Sequence, residues 1–448
     1  MVSRAARHDV AIVGLGYVGI TLAAALADAG LRVLGIERRR EVVDSVNSGR
    51  SYIYEPGIDA ILARCAGGSL HAATGWPDEL PPVTIICVST PADPSTGAPD
   101  LSNLKDAAAQ ISRRMPPDGL VVVRSTVPVG TSRTLVLATL RGRNPEASLA
   151  FCPERTVQGA ALMELRNLPQ VIGAVDDRSA DLAERFFSRL TDSIVRLSSP
   201  EAAEMVKLVN NCHTDLLYGF GNEVALLAST HGIDPLEVIR GANEGYTERA
   251  EGLAVVRPRI AKPGFVGGGC LSKDPYLLLE SLGDRDPSLS LVRCARKLNE
   301  SMPGTAAEDF MRMLGRITAD PGAATVLACG MAYKGIPETD DLRGTPAAPF
   351  ISSIAGRVGR ILGHDYRVSP ECTAGLGAEP VALHDGIAAA DAIVLLNDHP
   401  GYRRDIAGAL STPPGRKILV YDCWRILTDS GVPETENVLY AGLCHEVR

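Results

Sequence analysis

Cys270 is a candidate nucleophile. It stands in Lys262-Pro263-Gly264-Phe265-Val266-Gly267-Gly268-Gly269-Cys270-Leu271-Ser272-Lys273-Asp274-Pro275. Glycine lacks a Cβ and admits positive φ, so the run lets backbone amides close around a ligand with the thiol at the floor of the pocket. Asp274 with a proline behind it reads as the start of a helix. A cysteine in this setting is either a buried apolar residue or a nucleophile whose thiolate is favoured by nearby positive charge. A second set is Lys207 and Asn211, four residues apart and so on one face of a helix. For Lys207 the competing reading is a solvated surface lysine.

These residues need elements to carry them, and the chain opens with a clear one. Asp9 to Val13 is a short apolar run that leads into Gly14-Leu15-Gly16-Tyr17-Val18-Gly19 and then an alanine-rich segment from Ile20 to Ala29. Strand, GxGxxG and helix make a dinucleotide-binding turn, in which a pyrophosphate faces the helix N-terminus. Leu31 to Ile36 supplies the next strand. It ends at Glu37, 18 residues past Gly19 and close to the spacing of a ribose-binding acid. Glu37 favours NAD over NADP, while Arg38, Arg39 and Arg40 pull the other way. Further strands at Val83–Val88 and Leu120–Val123 end in Ser89-Thr90-Pro91 and in Arg124-Ser125-Thr126-Val127-Pro128. Polar residues at successive strand ends describe a cleft, although any single one serves equally as a helix cap. Leu149–Cys152 precedes Pro153-Glu154-Arg155, and Gln170–Gly173 reads as the last strand of this half.

From about Pro200 the period becomes helical. Glu201 to His231 is expected as one long helix or two abutting ones, with a second helix near Asp234–Ala242 and others from Pro275 and Leu289. After Asp320-Pro321-Gly322 a second α/β unit begins at Ala324–Cys329, with strands over Arg357–Arg367, Asp391–Leu396 and, as the last, Ile418–Tyr421. It has no GxGxxG. Lys334, Asp340, Asp341 and Arg343 share one loop, and Arg425 comes after the last strand; these cations either bind phosphates or pair with neighbouring acids.

The totals narrow the class. A chain of 448 residues, 45% hydrophobic and 22% charged, is an ordinary globular protein of two to four domains. A net charge of −8 argues against nucleic acid as a partner. Ten cysteines without a CxxC pair suit neither a zinc site nor a disulfide scaffold, and fit reduced thiols in the cytoplasm. No apolar run reaches the roughly 18 residues of a membrane helix, and no signal segment precedes the first strand.

Together the motifs resemble the UDP-glucose/GDP-mannose dehydrogenase family. They are Gly14 to Gly19, Tyr54-Glu55-Pro56-Gly57, Ser89-Thr90-Pro91 with Pro99 to Ser102, Ser125 to Thr131, Cys152 to Arg155, Lys207 to Asn211, Gly267 to Asp274, Gly330 to Lys334, and Asp341-Leu342-Arg343. The resemblance implies an α/β fold of two Rossmann-like doubly wound domains joined by a long central helix that also forms the dimer interface. We place the boundaries at 1–197, 198–302 and 303–448. It further implies oxidation of a UDP-sugar C6 alcohol to a carboxylate with two NAD per turnover. Cys270 is the nucleophile in that scheme, Lys207 and Asn211 stabilise the oxyanion and position water, and Asp274 assists proton transfer. Glu154 takes part in thioester hydrolysis and Thr126 holds a water. Gly14, Gly16, Tyr17, Val18, Gly19, Glu37, Arg38, Ser89, Thr90, Pro91, Ser125 and Thr126 fall to the cofactor. Glu154, Arg155, Lys207, Asn211, Phe265, Gly267, Gly268, Lys334, Arg343 and Arg425 fall to the substrate.

Gln158, where UDP-glucose dehydrogenases carry a second Glu, and Cys-Pro-Glu-Arg at 152–155 resemble the branch acting on UDP-N-acetylhexosamines. Gly269, in place of a larger residue, is expected to leave room beside the sugar. Arg249 or Arg257 is a candidate to reach across the dimer. The alternatives are UDP-glucose as substrate, a two-electron β-hydroxyacid dehydrogenase, and a nucleotide-sugar-binding protein without catalysis.

Overall fold

The computed structural model describes residues 8–93, 96–245, 259–283, 288, 290–411, 415–428 and 437–446; Arg249 and Arg257 lie outside them. In the N-terminal sheet, Val10–Val13 (β1), Val33–Ile36 (β2), Leu70–Ala73 (β3), Val83–Ile86 (β4), Leu120–Val123 (β5), Ser148–Phe151 (β6), Gln170–Ala174 (β7) and Ile194–Leu197 (β8) run in the order β3-β2-β1-β4-β5-β6-β7-β8. All neighbours are parallel except β6 and β7. Strands β1 and β5 are apolar and buried throughout, as in parallel sheets covered on both faces. Gln170–Gly173 is therefore not the last strand. The edge strand β8 is short, only half buried and carries Arg196, which hides its periodicity.

The strand order reverses at β1, whose Val10 pairs with Val33 on one side and Val83 on the other. Ligand crevices of doubly wound sheets open at the carboxyl ends of the strands beside such a point. Gly14, the first residue past β1, has φ +91°, and its N–H donates to the Ile36 carbonyl at 2.8 Å. A Cβ there would stand 2.7 Å from the Cys87 carbonyl oxygen, so the turn requires glycine in both conformation and space.

The C-terminal sheet repeats this arrangement. Thr325–Cys329 (β9), Arg360–His364 (β10), Glu379–Pro380 (β11), Ala392–Leu395 (β12), Ile418–Asp422 (β13), Val438–Gly442 (β14) and His445–Glu446 (β15) lie in the order β11-β10-β9-β12-β13-β14-β15. Ile418–Tyr421 is thus not the final strand: β14 pairs parallel to it and β15 turns back antiparallel. Gly330, just past β9, has φ +95° and donates to the His364 carbonyl at 2.9 Å. Asp365, just past β10, accepts the Met331 and Ala332 N–H groups at 2.7 and 3.0 Å. Glu37, just past β2, accepts the Leu15 N–H at 3.0 Å in the same way. The two turns continue differently. The helix Tyr17–Asp28 starts at once after Gly16, whereas the chain past Gly330 runs as a loop to the helix Ala347–Ile354.

The two Rossmann-like sheets are linked by a helix over Pro200–Thr230, unbroken for 31 residues. By compactness the chain divides into residues 1–211 with 276–286, and residues 212–275 with 287–448, so this helix contributes to both units. A later helix, Leu291–Ile317, runs without interruption through positions 302 and 303.

The central helix inverts the usual amphipathic pattern. At about 100° per residue, Glu204, Lys207, Asn211, Asp215 and Asn222 fall within about 80° of one another. Of these Glu204, Lys207, Asp215 and Asn222 are buried and Asn211 half-buried. Met205, Val209, Leu216, Phe220 and Leu227 fall within about 60° on roughly the opposite side, and all but the half-buried Leu216 are exposed. A helix of a soluble monomer normally buries its apolar stripe.

Asp365→Ala should lower stability by about 2–3 kcal/mol, because the carboxylate also accepts the Arg367 and Val368 N–H groups. Urea denaturation monitored by Tyr and Trp fluorescence reads the loss.

Candidate active site

In the first unit the glycine turn has the shape of a phosphate cradle. A Cβ on Gly19 would lie 1.9 Å from the Gly14 carbonyl oxygen, so that glycine seats the helix against the turn. A Cβ on Gly16 would meet no atom within 4 Å: the space beside it is open. Gly16 is also the N-cap of Tyr17–Asp28, with no side-chain cap and no acid in the first turn, which leaves the positive helix end to an anion. Glu37 completes the cradle. Burial raises its carboxyl pKa, but hydrogen bonds from the Arg39 backbone and side chain and from the Leu15 N–H outweigh it, so the group sits below its ordinary value. These residues fit NAD.

Other expected cofactor residues hold loops. The Tyr17 hydroxyl donates to buried Glu55, which also accepts the Gly159 N–H at 2.8 Å. Val18 is half-buried against the apolar core. The Thr90 hydroxyl donates to the Thr126 carbonyl at 2.6 Å and Ser125 to the Val88 carbonyl at 2.7 Å. Arg38 donates to Asn103, whose amide bonds Ser89, and Pro91 accepts the Asp100 N–H. The C-terminal ends of β4 and β5 are thereby stitched together.

Glu154 lies at the end of β6 in a buried ion pair with Arg124. Its Oε2 accepts Arg124 Nε and Nη2 at 3.1 and 2.8 Å, and its Oε1 accepts the Arg155 and Thr156 N–H groups at 2.8 Å each. Burial pushes this carboxyl up, yet the Arg124 cation and the bonds from Thr156 bring it below the ordinary value. Both oxygens are therefore committed. Arg155 donates to the Pro169 carbonyl. On the central helix Glu204 accepts the Gly130 and Ser132 N–H groups at 2.5 and 2.8 Å, tying the loop after Thr126 to the turn that carries Lys207. Lys207 itself is buried and has no ion-pair partner among the described residues. A buried, unpaired ammonium is costly unless a ligand compensates it.

The second unit holds the cysteine loop. Gly268–Leu271 forms a single helical turn, and Cys270 is exposed. Seven of the ten cysteines are buried, and burial pushes the thiols of Cys87, Cys152, Cys212 and Cys444 up to about 12, which silences them as nucleophiles. Of the exposed three, Cys270 follows Gly268 and Gly269, whose Cβ positions meet the Tyr333 ring and the Arg343 guanidinium. Arg343 is itself clasped by Asp341, with Nη2 to Oδ2 at 2.7 Å. Lys334 lies 5.4 Å from the Tyr333 ring centroid. Asp274 is fully buried, and Lys273 Nζ donates to it at 2.7 Å.

Here the structure revises several expectations. A Cβ on Gly269 would stand 3.1 Å from Arg343 Cζ, so that space belongs to the guanidinium and not to the sugar. A Cβ on Gly268 would meet the Tyr333 ring at 2.7 Å, at a φ of +92°, and one on Gly267 would meet the Gly344 carbonyl at 2.4 Å. The glycines admit the loop 333–346 against the cysteine turn. Phe265 is 3% exposed, with its ring in the core containing Met302, Phe310 and Phe350, and so anchors the loop. Arg425 donates to the two carboxylate oxygens of Asp234 at 3.2 and 3.1 Å and to Thr428.

Sequence reasoning missed Arg124, Glu204, Asp215, Asn222, Arg296 and Tyr333. The helical projection of residues 204–222 carried a signal for three of them. Arg124 stands at the polar end of a strand but nothing local points to Glu154 as its partner, and nothing local marks Arg296.

Profiles of the UDP-glucose/GDP-mannose dehydrogenase family match the chain in three parts: its NAD binding domain at residues 8–191, its central domain at 201–301 and its UDP binding domain at 327–429. The UDP-N-acetyl-D-mannosamine dehydrogenase of Pyrococcus horikoshii is 35% identical over 401 residues, covering 88% of this chain and 90% of its own. A solved UDP-D-ManNAc dehydrogenase from that organism superposes with a TM-score of 0.84 at 32% identity, covering 97% and 99%. A UDP-glucose dehydrogenase from the archaeon Pyrobaculum islandicum gives 0.81 at 27% identity, covering 99% and 100%.

Arg124→Met should cost about 3–5 kcal/mol at neutral pH, because it strands the buried Glu154 carboxylate. Since the folded pKa of Glu154 lies below the unfolded one, the pair stabilises fully above about pH 4.3 and the benefit is lost as pH falls through the folded value. The gap between wild type and variant in urea denaturation should therefore narrow on acidification.

Proposed function

The chain belongs to the UDP-glucose/GDP-mannose dehydrogenase family and is an NAD-dependent nucleotide-sugar dehydrogenase; on that premise we propose that it oxidises the C6 alcohol of a UDP-N-acetylhexosamine to the carboxylate through a thioester on Cys270. The observation that carries this reading is the exposed Cys270 thiol, set in a glycine turn beside a guanidinium while most other thiols are buried. Bound NAD supplies the hydride acceptor, twice in succession. Loss of a hydride and a proton from the alcohol gives the aldehyde. The Cys270 thiolate then adds to the aldehyde carbon: a C–S bond forms, the carbonyl pair moves to oxygen, and that oxygen takes a proton. A second hydride and proton leave this thiohemiacetal to give the thioester. Water adds, the C–S bond breaks, and thiolate and carboxylate are released. Per sugar, one water enters, and two NADH and three protons form.

Lys207 supplies positive charge to the oxyanions of the addition and hydrolysis steps, and Asn211, one turn on, holds water. Asp274 relays protons, and its pairing with Lys273 keeps that carboxylate oriented. Thr126 holds a water. Glu154, with its oxygens committed to Arg124 and to backbone, contributes to hydrolysis as a fixed negative charge. The segments 1–197, 198–302 and 303–448 serve as NAD-binding, central and UDP-sugar-binding domains, in keeping with the three profile matches. Relatedness to a UDP-N-acetyl-D-mannosamine dehydrogenase supports the hexosamine, and the UDP-glucose dehydrogenase fold neighbour keeps UDP-glucose as the alternative. Cysteines without disulfides suit the cytoplasm, and no helix among the described residues is long and apolar enough to cross a membrane.

Two NADH should form per sugar consumed, faster from UDP-N-acetylhexosamines than from UDP-glucose, in an absorbance assay over a panel of UDP-sugars. One NADH per sugar would sink the thioester, and a faster reaction with UDP-glucose would sink the hexosamine.

The apolar stripe Met205, Val209, Leu216, Phe220 and Leu227 supports a homodimer through the central helix. Phe220→Glu should shift the protein from dimer to monomer in analytical ultracentrifugation.

A further inference from the structure

A buried polar network in the second unit grips the cysteine loop without touching the thiol. Asn222, on the central helix, accepts the Gly264 N–H at 2.8 Å and donates to the Gly264 carbonyl at 3.0 Å and to Asn299 Oδ1 at 2.9 Å. Arg296 Nη1 donates to the Leu271 carbonyl and to Asp215 Oδ1, each at 2.8 Å, and Nη2 reaches the Val266 carbonyl at 3.5 Å. Asn299 donates to the Asp215 carbonyl and carboxylate at 2.9 Å, which closes the circuit. All four side chains are 2% exposed or less. The loop is thus held by its backbone at Gly264, Val266 and Leu271, the last being the residue after Cys270.

A buried charge network of this kind is poor evidence of stability, because well-packed apolar residues often do as well or better. Its chemistry suits another purpose. Leu271 closes the one-turn helix, whose last carbonyls have no partner within the helix, and a guanidinium at that end fixes its height and rotation. Rotating a single turn by a fraction of a residue re-aims the thiol, and a displacement near 1 Å costs on the order of 100-fold in rate.

We propose that Asn222, Asn299, Asp215 and Arg296 are positioning residues that aim the Cys270 thiol, and that they govern the second oxidation more than the first. The inference rests on the thioester reading. The first hydride transfer forms no bond to sulfur, whereas the second requires the C–S bond, so a loosened loop releases aldehyde before capture.

The test counts NADH per sugar consumed, with released aldehyde captured by a hydrazide, in the full-length enzyme and in Asn222→Ala. Wild type should give two NADH. The variant should fall toward one, with aldehyde in proportion, kcat for complete oxidation reduced at least about tenfold, and NAD affinity unchanged. Alkylation of Cys270 by iodoacetamide, read on its peptide by mass spectrometry, should change in rate as well. Arg296→Lys, which keeps one donor, should lie between the two. One NADH from wild type would defeat the thioester reading itself. Two from wild type and two from a folded Asn222→Ala, with unchanged alkylation, would overturn the positioning role. Hydrogen exchange of the unsubstituted enzyme needs no variant: the Gly264 N–H should exchange as slowly as the core strands, and rapid exchange there overturns the grip.

Discussion

A buried polar side chain must find hydrogen-bond partners inside the protein, and for Glu204 and Asn222 on the central helix those partners include loop backbones. Glu204 takes two N–H groups of the loop after Thr126. Asn222 takes both backbone groups of Gly264, and Asp215 organises Arg296 and Asn299 around the cysteine turn. Between them on the same face stand Lys207 and Asn211. Helix geometry alone sets the spacing of these five positions, so the residues that grip loops and those assigned to chemistry share one continuous helix. The cost is a helix with its polar side inward and with Met205, Val209, Phe220 and Leu227 exposed on the other side.

The glycine run around Cys270 obeys a related constraint. Three successive glycines suggest a cradle open to ligand, yet protein fills the Cβ position at 267 (Gly344) and 268 (Tyr333) and crowds it at 269 (Arg343). Close approach of two loops is what demands glycine here. It places a guanidinium and a phenol next to the thiol, where a larger residue at 268 or 269 would hold them off. At Gly16 the logic is reversed, since nothing of the protein occupies the Cβ position. Glycine there leaves room for a ligand.

The two sheets show how one turn geometry serves different ends. Gly14 and Gly330 share a positive φ, a hydrogen bond to the last residue of the neighbouring strand, and an acid past that strand that accepts N–H groups of the turn. Only the first turn runs directly into a helix, and only there do backbone N–H groups and the helix end combine against a pyrophosphate. The second leads into the loop that carries Tyr333, Lys334 and Arg343. There Arg343 is paired with Asp341, and Lys334 stands over the Tyr333 ring.

By itself the sequence determined the local and periodic features: the strand–GxGxxG–helix unit with Glu37, the apolar parallel strands, the 31-residue helix with Lys207 and Asn211 on one face, and the cysteine in its glycine run. Each depends on neighbours within about 20 residues, where side-chain spacing translates directly into geometry. The edge strand β8 escaped because half of it is exposed and it carries Arg196, and β15 because two residues show no period; β14 is an apolar buried run that the sequence does carry. Only the tertiary structure decided which charges are committed. Arg124 and Glu154 are 30 residues apart, Arg296 and Asp215 81, and Arg425 and Asp234 191. A cation assigned to substrate and one that neutralises a distant acid look the same along the chain, because ion pairing depends on distances that close only when the chain folds.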